Sequence, residues 1–364
     1  MISALWNGAA PGLSAGRMPA GTEPRPLVAA AQAAPADAGT RRLGKGAEPV
    51  EIISWNVNSV RARLPRVAAL LARRQPDLVC LQEIKVSPQD FPVAEFAALG
   101  YASAVHGQEG RNGVAMLARA APADVARGFD ADPAPGQARV LSATVSGMRV
   151  ICVYVVNGQA VGTPDYALKL RWLSAFTSWL EATQRPGDPL LLVGDFNIAP
   201  DDRDVYDPDG WRGRNLCSEP ERERLAALLS WGLTDLTRAR NPGPGPGPFT
   251  FWDYRQGAFH RGWGLRIDLA LGTAPVAARC TAAVVDRDER KPTAGEGKPS
   301  DHAPLIVTLA PLDAWPRKQA GNNQSRPATR TSRKRWASTS VSSFTVKWGS
   351  PSSARPSALC QNFS

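Results

Sequence analysis

From about residue 50 to residue 310, short runs that are apolar on both sides alternate with segments whose apolar residues recur every three or four positions. A strand without a polar face must be covered on both sides, and an amphipathic helix has one stripe with which to cover it. This alternation therefore predicts an α/β chain in which sheets pack under helices. Strands are expected at Val50–Val57, Asp77–Leu81, Gly113–Leu117, Val140–Val145, Val150–Val155, Leu190–Val193, Ile267–Leu271 and Leu305–Leu309. Helices are expected at Leu64–Leu71, where Leu64, Val67, Leu70 and Leu71 share a face before Pro76, and at about Leu168–Glu181 and Glu221–Leu229. The alternating Pro and Gly of Pro242–Pro248 mark a loop.

The polar residues fall where these strands stop. Asn56, Glu83, Asp195, Asn197, Asp268, Asp301 and His302 each stand at or beside the end of an apolar run, where a side chain projects from the sheet into a crevice. Any one of them, Asp301 after Ser300 above all, reads equally well as a cap or turn residue; seven together do not. A carboxylate withdrawn from water needs a partner, or it becomes protonated.

Spacing adds direction. On an extended chain Asp195 and Asn197 project to one side while Phe196 goes to the other, so a carboxylate and an amide address one point. The carboxylate can orient or deprotonate a water, and the amide can donate to a phosphate oxygen. Glu83 is a hard oxygen ligand of the kind Mg²⁺ takes, with water and substrate phosphate completing the shell. His302 follows Asp301 directly, and a distant carboxylate such as Asp268 would fix its tautomer and favour its charged form, leaving Asp301 near the metal. His106 and His260 have no comparable neighbours and read as ordinary side chains.

The formal net charge of +10 invites a nucleic-acid reading, because basic surfaces neutralise phosphates. Its distribution removes that argument. Acidic and basic residues balance between 50 and 310, and the excess lies almost wholly in the Ser-, Thr- and Arg-rich residues 311–364. That tail has too few apolar positions to offset its ordering entropy and is expected to be disordered. Residues 1–49 read as an extension that is disordered or an artefact of start assignment, with an organellar transit peptide as the lesser alternative. Cys80, Cys152, Cys217, Cys280 and Cys360 show no close CxxC spacing, which argues for a reducing compartment and against a structural zinc site. No run is long enough for a membrane span.

Seven segments then carry a family resemblance in chain order: Ile53–Arg63 (ISWNVNSVRAR), Cys80–Lys85 (CLQEIK), Gly113–Ala115, Val193–Ile198 (VGDFNI), Ser230–Asp235 (SWGLTD), Leu265–Asp268 (LRID) and Lys298–Pro304 (KPSDHAP). Over about residues 50–310 the chain resembles the exonuclease III family of DNA-repair nucleases, within the endonuclease/exonuclease/phosphatase superfamily. The resemblance implies a four-layer sandwich of two mixed β-sheets flanked by helices. It also implies hydrolysis of DNA phosphodiesters with Mg²⁺, or Mn²⁺ in its place. The activities it implies are cleavage 5′ to abasic sites, 3′-to-5′ degradation of duplex DNA and 3′-phosphatase action, by a cytoplasmic, nucleoid-associated monomer that binds duplex DNA and no membrane.

Residue by residue, Asn56 and Glu83 resemble the metal-site pair with Asp301 close by, and Asp195, Asn197 and His302 also border the metal. Asp195 resembles the residue that handles the attacking water, Asn197 its phosphate-binding neighbour, and Asp268 with His302 the hydrogen-bonded pair at the scissile phosphate. Tyr154 resembles the family's active-site tyrosine and Asn157 its phosphate-contacting amide. Val156 stands where the family commonly has proline, which implies a less rigid loop after Tyr154. Arg61, Lys85, Asn112, Arg139 and Lys169 are candidate DNA-backbone contacts. The run Phe249–Trp252 reads as core on composition alone; the resemblance makes Phe251 and Trp252 the wall of a pocket for a flipped-out abasic sugar. Two rivals remain: a DNase I-like nuclease or inositol-phosphate phosphatase sharing the same hydrolytic centre, and a catalytically silent DNA-binding protein.

Overall fold

A computed structural model describes residues 48–311. The expectations for the N-terminal extension before residue 48 and for the basic tail after residue 311 lie outside the described residues. Twelve strands are present among the described residues: β1 Val50–Asn56, β2 Leu78–Gln82, β3 Ala102–His106, β4 Val114–Ala118, β5 Ala123–Arg127, β6 Val140–Val145, β7 Met148–Tyr154, β8 Leu190–Asp195, β9 Leu233–Asp235, β10 Asp268–Thr273, β11 Cys280–Val285 and β12 Leu305–Leu309. They form two six-stranded sheets, ordered β11-β12-β1-β2-β4-β3 and β5-β6-β7-β8-β10-β9. Each sheet is mixed, with one parallel pair at its centre, β1 with β2 and β7 with β8.

Alternation along the strands sorts side chains into layers. Ile52, Cys80, Met116, Val150, Cys152 and Val193 fill the space between the sheets. On the outer face of the first sheet, Ile53, Trp55, Val79 and Leu81 meet Val67, Leu70 and Leu71 of the helix Val60–Arg74. Outside the second, Val153 and Leu192 meet Trp172 and Phe176 of the helix Pro164–Thr183 and Leu225 of the helix Glu219–Ser230. Helix, sheet, sheet, helix is the four-layer sandwich that the resemblance implied. No helix among the described residues is long and apolar enough to cross a membrane.

The same alternation positions the polar residues. The inward row of β1 runs Ile52–Ser54–Asn56, that of β7 runs Val150–Cys152–Tyr154, that of β8 runs Leu191–Val193–Asp195, and Ala270 leads to Asp268 on β10. Each row turns from apolar to polar at one end of the inter-sheet core. Register completes the alignment, because Asp195 pairs with Tyr154 on one side and with Asp268 on the other.

Candidate active site

Beneath the polar end lies a layer that closes the apolar core. Gln82 pairs in register with Asn56, and its Nε2 donates to Ser54 Oγ (3.1 Å), Cys80 O (3.1 Å) and Cys152 Sγ (3.3 Å). Above it, buried Asn56 links two carboxylates, its Nδ2 donating to Glu83 Oε1 and Asp195 Oδ2, each at 2.9 Å. Glu83 Oε2 lies 2.8 Å from Lys85 Nζ, which donates to Asn58 Oδ1 at 2.6 Å, while Asn58 Nδ2 donates to Asp301 Oδ1 at 3.1 Å. On the other flank, His302 Nδ1 is 2.8 Å from Asp268 Oδ2, and its Nε2 is 3.8 Å from Asp195 Oδ2. Trp55 Nε1 holds the backbone of this histidine by donating to its carbonyl at 3.0 Å.

The loops that carry these groups are conformationally unusual. Asn58, Ser59, Glu83, Lys85, Asn112 and Asn197 all have positive φ without being glycine. Such residues cost about 1–3 kcal/mol each and persist where surrounding contacts over-determine them. At Asn197 (φ 52) the backbone N–H donates to Asp195 Oδ1 at 2.9 Å, and the side-chain Nδ2 donates to Val155 O at 3.0 Å. Asn157 Nδ2 then donates to Asn197 Oδ1 at 2.8 Å. The two amides are thus fixed in orientation beside Asp195.

Burial and like charges set the titration of the centre. Burial, reinforced by Asp268 and Glu83, raises the Asp195 carboxyl to about 7 against the opposing pull of His302 and Asn56. Burial opposes the charged form of His302, but Asp268, Asp195 and Asp301 outweigh it and raise the imidazole to about 10. Glu83 is held below its ordinary range although burial works the other way, because Lys85 and the Asn56 hydrogen bond favour its ionised form. Burial, then the charges of Glu83 and Asp195, push the Tyr154 phenol well above its ordinary value, so it remains a donor.

A hard divalent cation fits this donor set. Glu83, Asp195, Asp268 and Asp301 bring four carboxylates to one crevice, and one oxygen of Asp268, Oδ1, is buried without a hydrogen-bond partner. Donor atoms of Asp195, Asp268 and His302 lie within 4.8 Å of one another. Such acidic crowding is relieved by a cation with oxygen ligands. A protonated imidazole has no free lone pair, so His302 suits a phosphate oxygen better than a metal.

The expected DNA contacts divide. Arg61 is exposed and paired with Asp90 at 3.1 Å, and half-buried Lys85 borders the carboxylates. Four others depart from expectation. Lys169 has no exposed side-chain surface and pairs with equally buried Glu221, so it does not present its charge to DNA. Arg139 is buried, with its guanidinium 4.7 Å over the Tyr154 ring and NH1 donating to Tyr154 O at 3.1 Å. Asn112 is buried with its Nδ2 donating to Gln108 Oε1 at 2.7 Å. Trp252 is 1% exposed, its indole edge-on to Phe259 at 5.4 Å, which leaves it behind the site wall as core. Half-buried Phe251 is the aromatic that faces the centre, 4.9 Å from the His302 ring. The pairing of Phe251 with Leu265 fixes its place.

Sequence reasoning left out Asn58, Ser300, Asn215 and Glu221 as site residues. Asn58 had a readable signal, since it lies two residues beyond Asn56. Ser300 Oγ donates to Asn56 O at 2.7 Å across 244 residues, and Glu221 reaches Lys169 across 52, separations at which no local pattern exists.

Comparison with known proteins identifies the family. The endonuclease/exonuclease/phosphatase family model matches residues 53–302. Exodeoxyribonuclease III of Haemophilus influenzae is 34% identical over 267 residues, covering 70% of this chain and 98% of its own. The 3′ phosphatase NExo from Neisseria, solved with a product DNA hairpin, is 41% identical with a TM-score of 0.68, over 71% of this chain and 99% of that one. An AP endonuclease from Archaeoglobus fulgidus is 37% identical with a TM-score of 0.67, over 71% and 99%. With the matched family model, a relative above 30% identity and an acidic centre at the polar end of two packed sheets, this chain belongs to the exonuclease III family.

Proposed function

We propose that this enzyme is a Mg²⁺-dependent DNA-repair nuclease that cleaves 5′ to abasic sites, degrades duplex DNA from 3′ ends and removes 3′ phosphates. The observation that carries the reading is the aligned set Tyr154, Asp195 and Asp268 with His302 against Asp268 and Asn56 bridging Glu83 to Asp195. Carboxylates clustered so that they can hold a divalent cation, beside an imidazole and amides that can meet phosphate oxygens, suit in-line hydrolysis of a phosphodiester better than acyl or hydride transfer.

Each side chain has a task in that reaction. Asp195, whose carboxyl sits near the operating pH, holds the attacking water and takes its proton. His302, cationic through Asp268, lies against a non-bridging phosphate oxygen, and the Asn197 amide and Tyr154 phenol donate to the oxygens on which charge develops. Glu83 and Asn56 would hold the metal with Asp301 beside them, and a Mg²⁺ bound there would supply neutralisation of the negative charge that develops during hydrolysis. The products carry a 3′-hydroxyl and a 5′-phosphate. Phe251 supplies an apolar wall beside His302 suited to a base-free deoxyribose. On this reading the enzyme acts on DNA as a cytoplasmic monomer, a proposal supported by the bacterial exodeoxyribonuclease III relative and the cysteines without CxxC spacing.

The test is a duplex carrying one synthetic abasic analogue. Purified protein with Mg²⁺ nicks it, whereas EDTA-treated protein and Asp195→Asn do not. An intact duplex together with phosphate release from an inositol phosphate overturns the reading.

A further inference from the structure

We propose that the buried ion pair Lys169–Glu221 is a positioning device for the phosphate-facing amides Asn157 and Asn197, and takes no direct part in DNA contact. Neither side chain has exposed surface. Burying two charges costs several kcal/mol per ion unless the geometry and the remaining hydrogen bonds are good. Here every donor of the ammonium meets an acceptor: Asn197 O at 2.6 Å, Asn157 O at 3.1 Å, Asn215 Oδ1 at 3.4 Å, and Glu221 Oε1. Two of those acceptors are the main-chain carbonyls of the two amide residues themselves.

Glu221 is equally committed. Its carboxylate accepts from the backbone amides of Leu216 and Ser218, each at 3.0 Å, and from the Ser218 hydroxyl. The pair thereby fastens the loop after β7, the turn after β8, the segment around residues 215–218 and two helices at one buried point. Asn215 Nδ2 also donates to Asn157 Oδ1 at 3.3 Å, which sets the Asn157 carboxamide so that its Nδ2 meets Asn197 Oδ1. The approach is close. At Gly158 (φ +87) a Cβ would stand 2.9 Å from both Asn215 Oδ1 and Lys169 Cδ. With Val156 in place of a ring-locked residue, loop rigidity comes from these bonds. Displacement of a reacting group by about 1 Å costs up to about 10²-fold in rate, so the pair acts on catalysis through two amides it never covers.

The inference rests on the nuclease reading, and one experiment separates them. Lys169→Met and Glu221→Gln are compared with wild type for single-turnover nicking of the abasic-analogue duplex in Mg²⁺. Duplex binding in EDTA is measured over a range of salt, and circular dichroism confirms folding at the assay temperature. The expected result is a rate at least about tenfold lower for Lys169→Met and a smaller fall for Glu221→Gln, with the Kd and its salt slope unchanged. Weaker binding with a salt slope reduced by about one identifies Lys169 as a phosphate contact and overturns the proposal. So does a wild-type rate in either folded variant; where Lys169→Met does not fold, Glu221→Gln, which keeps an acceptor for the ammonium, carries the test. A wild type that fails to nick sinks the nuclease reading instead.

Discussion

His302 keeps its proton because two buried carboxylates and a third nearby outweigh the cost of removing an imidazolium from water. Its pKa rises from 6.5 to about 10 on folding, so the associated stability is fully present below pH 6.5 and is lost as the pH rises through 10. In metal-free protein, the difference in unfolding free energy between wild type and His302→Gln is therefore expected to shrink across that interval. The change is on the order of a few kcal/mol, followed by urea unfolding at successive pH values; a constant difference would contradict a cationic His302. The aromatic pair separates in the same way. Trp252→Ala should cost about 3–5 kcal/mol of stability as a core truncation. Phe251 is half-buried against Val205, Leu265 and Ile267, so Phe251→Ala should lower the melting temperature less than Trp252→Ala and slow abasic-site cleavage about tenfold, equivalent to about 1.4 kcal/mol of lost apolar contact. Parallel melts and nicking rates check both.

Among the elements, β8 is the one on which the site hangs, and Gly194 is its weak point. With φ +148, a Cβ there would sit 1.9 Å from Val153 O on β7. Gly194→Ala should therefore force β7 and β8 apart, displace Asp195 from Tyr154, and abolish nicking together with several degrees of melting temperature. A fully active Gly194→Ala protein would mean that the two strands tolerate separation. The central strands were legible in sequence because burial on both faces leaves continuous apolar runs; β6 and β12 fall on their expected bounds. The four strands that sequence patterning did not anticipate, β3, β5, β9 and β11, are the four sheet edges. An edge strand has one neighbour and much solvent, as the exposed Ala123–Arg127 illustrates, so its sequence carries little apolar signal.

For the molecule as a whole, protons and the divalent cation compete for one acidic crevice. Asp195 is raised from 3.8 to about 7, so in metal-free protein the stability associated with its protonation is present below pH 3.8 and is lost as the pH rises through 7. A bound cation favours the ionised carboxylates and reverses that loss. Saturating Mg²⁺ is therefore expected to raise the melting temperature more at pH 8 than at pH 5, by several degrees where its concentration reaches about 100 Kd. Equal shifts at the two pH values would place the metal away from Asp195.

The amino-acid sequence by itself determined which strand residues face a common layer, since alternation along a strand is a local property: Asn56 and Asp195, each at the end of an inward row, follow from period two alone, whereas Asn197 lies beyond β8 in a left-handed turn (φ 52) and reaches Asp195 through that turn, not through the extended chain that period two assumes. It also determined the family, because motifs such as VGDFNI and KPSDHAP are contiguous. Only the tertiary structure decided which charges are used inside the protein. Lys169 and Arg139 look like any other basic residues along the chain, and their burial depends on Glu221 and Tyr154, which reach them from other elements. Trp252 and Phe251 are neighbours in sequence, yet one is core and the other faces His302. Whether a side chain meets solvent or a partner is set by contacts across long chain separations, and no local pattern encodes them.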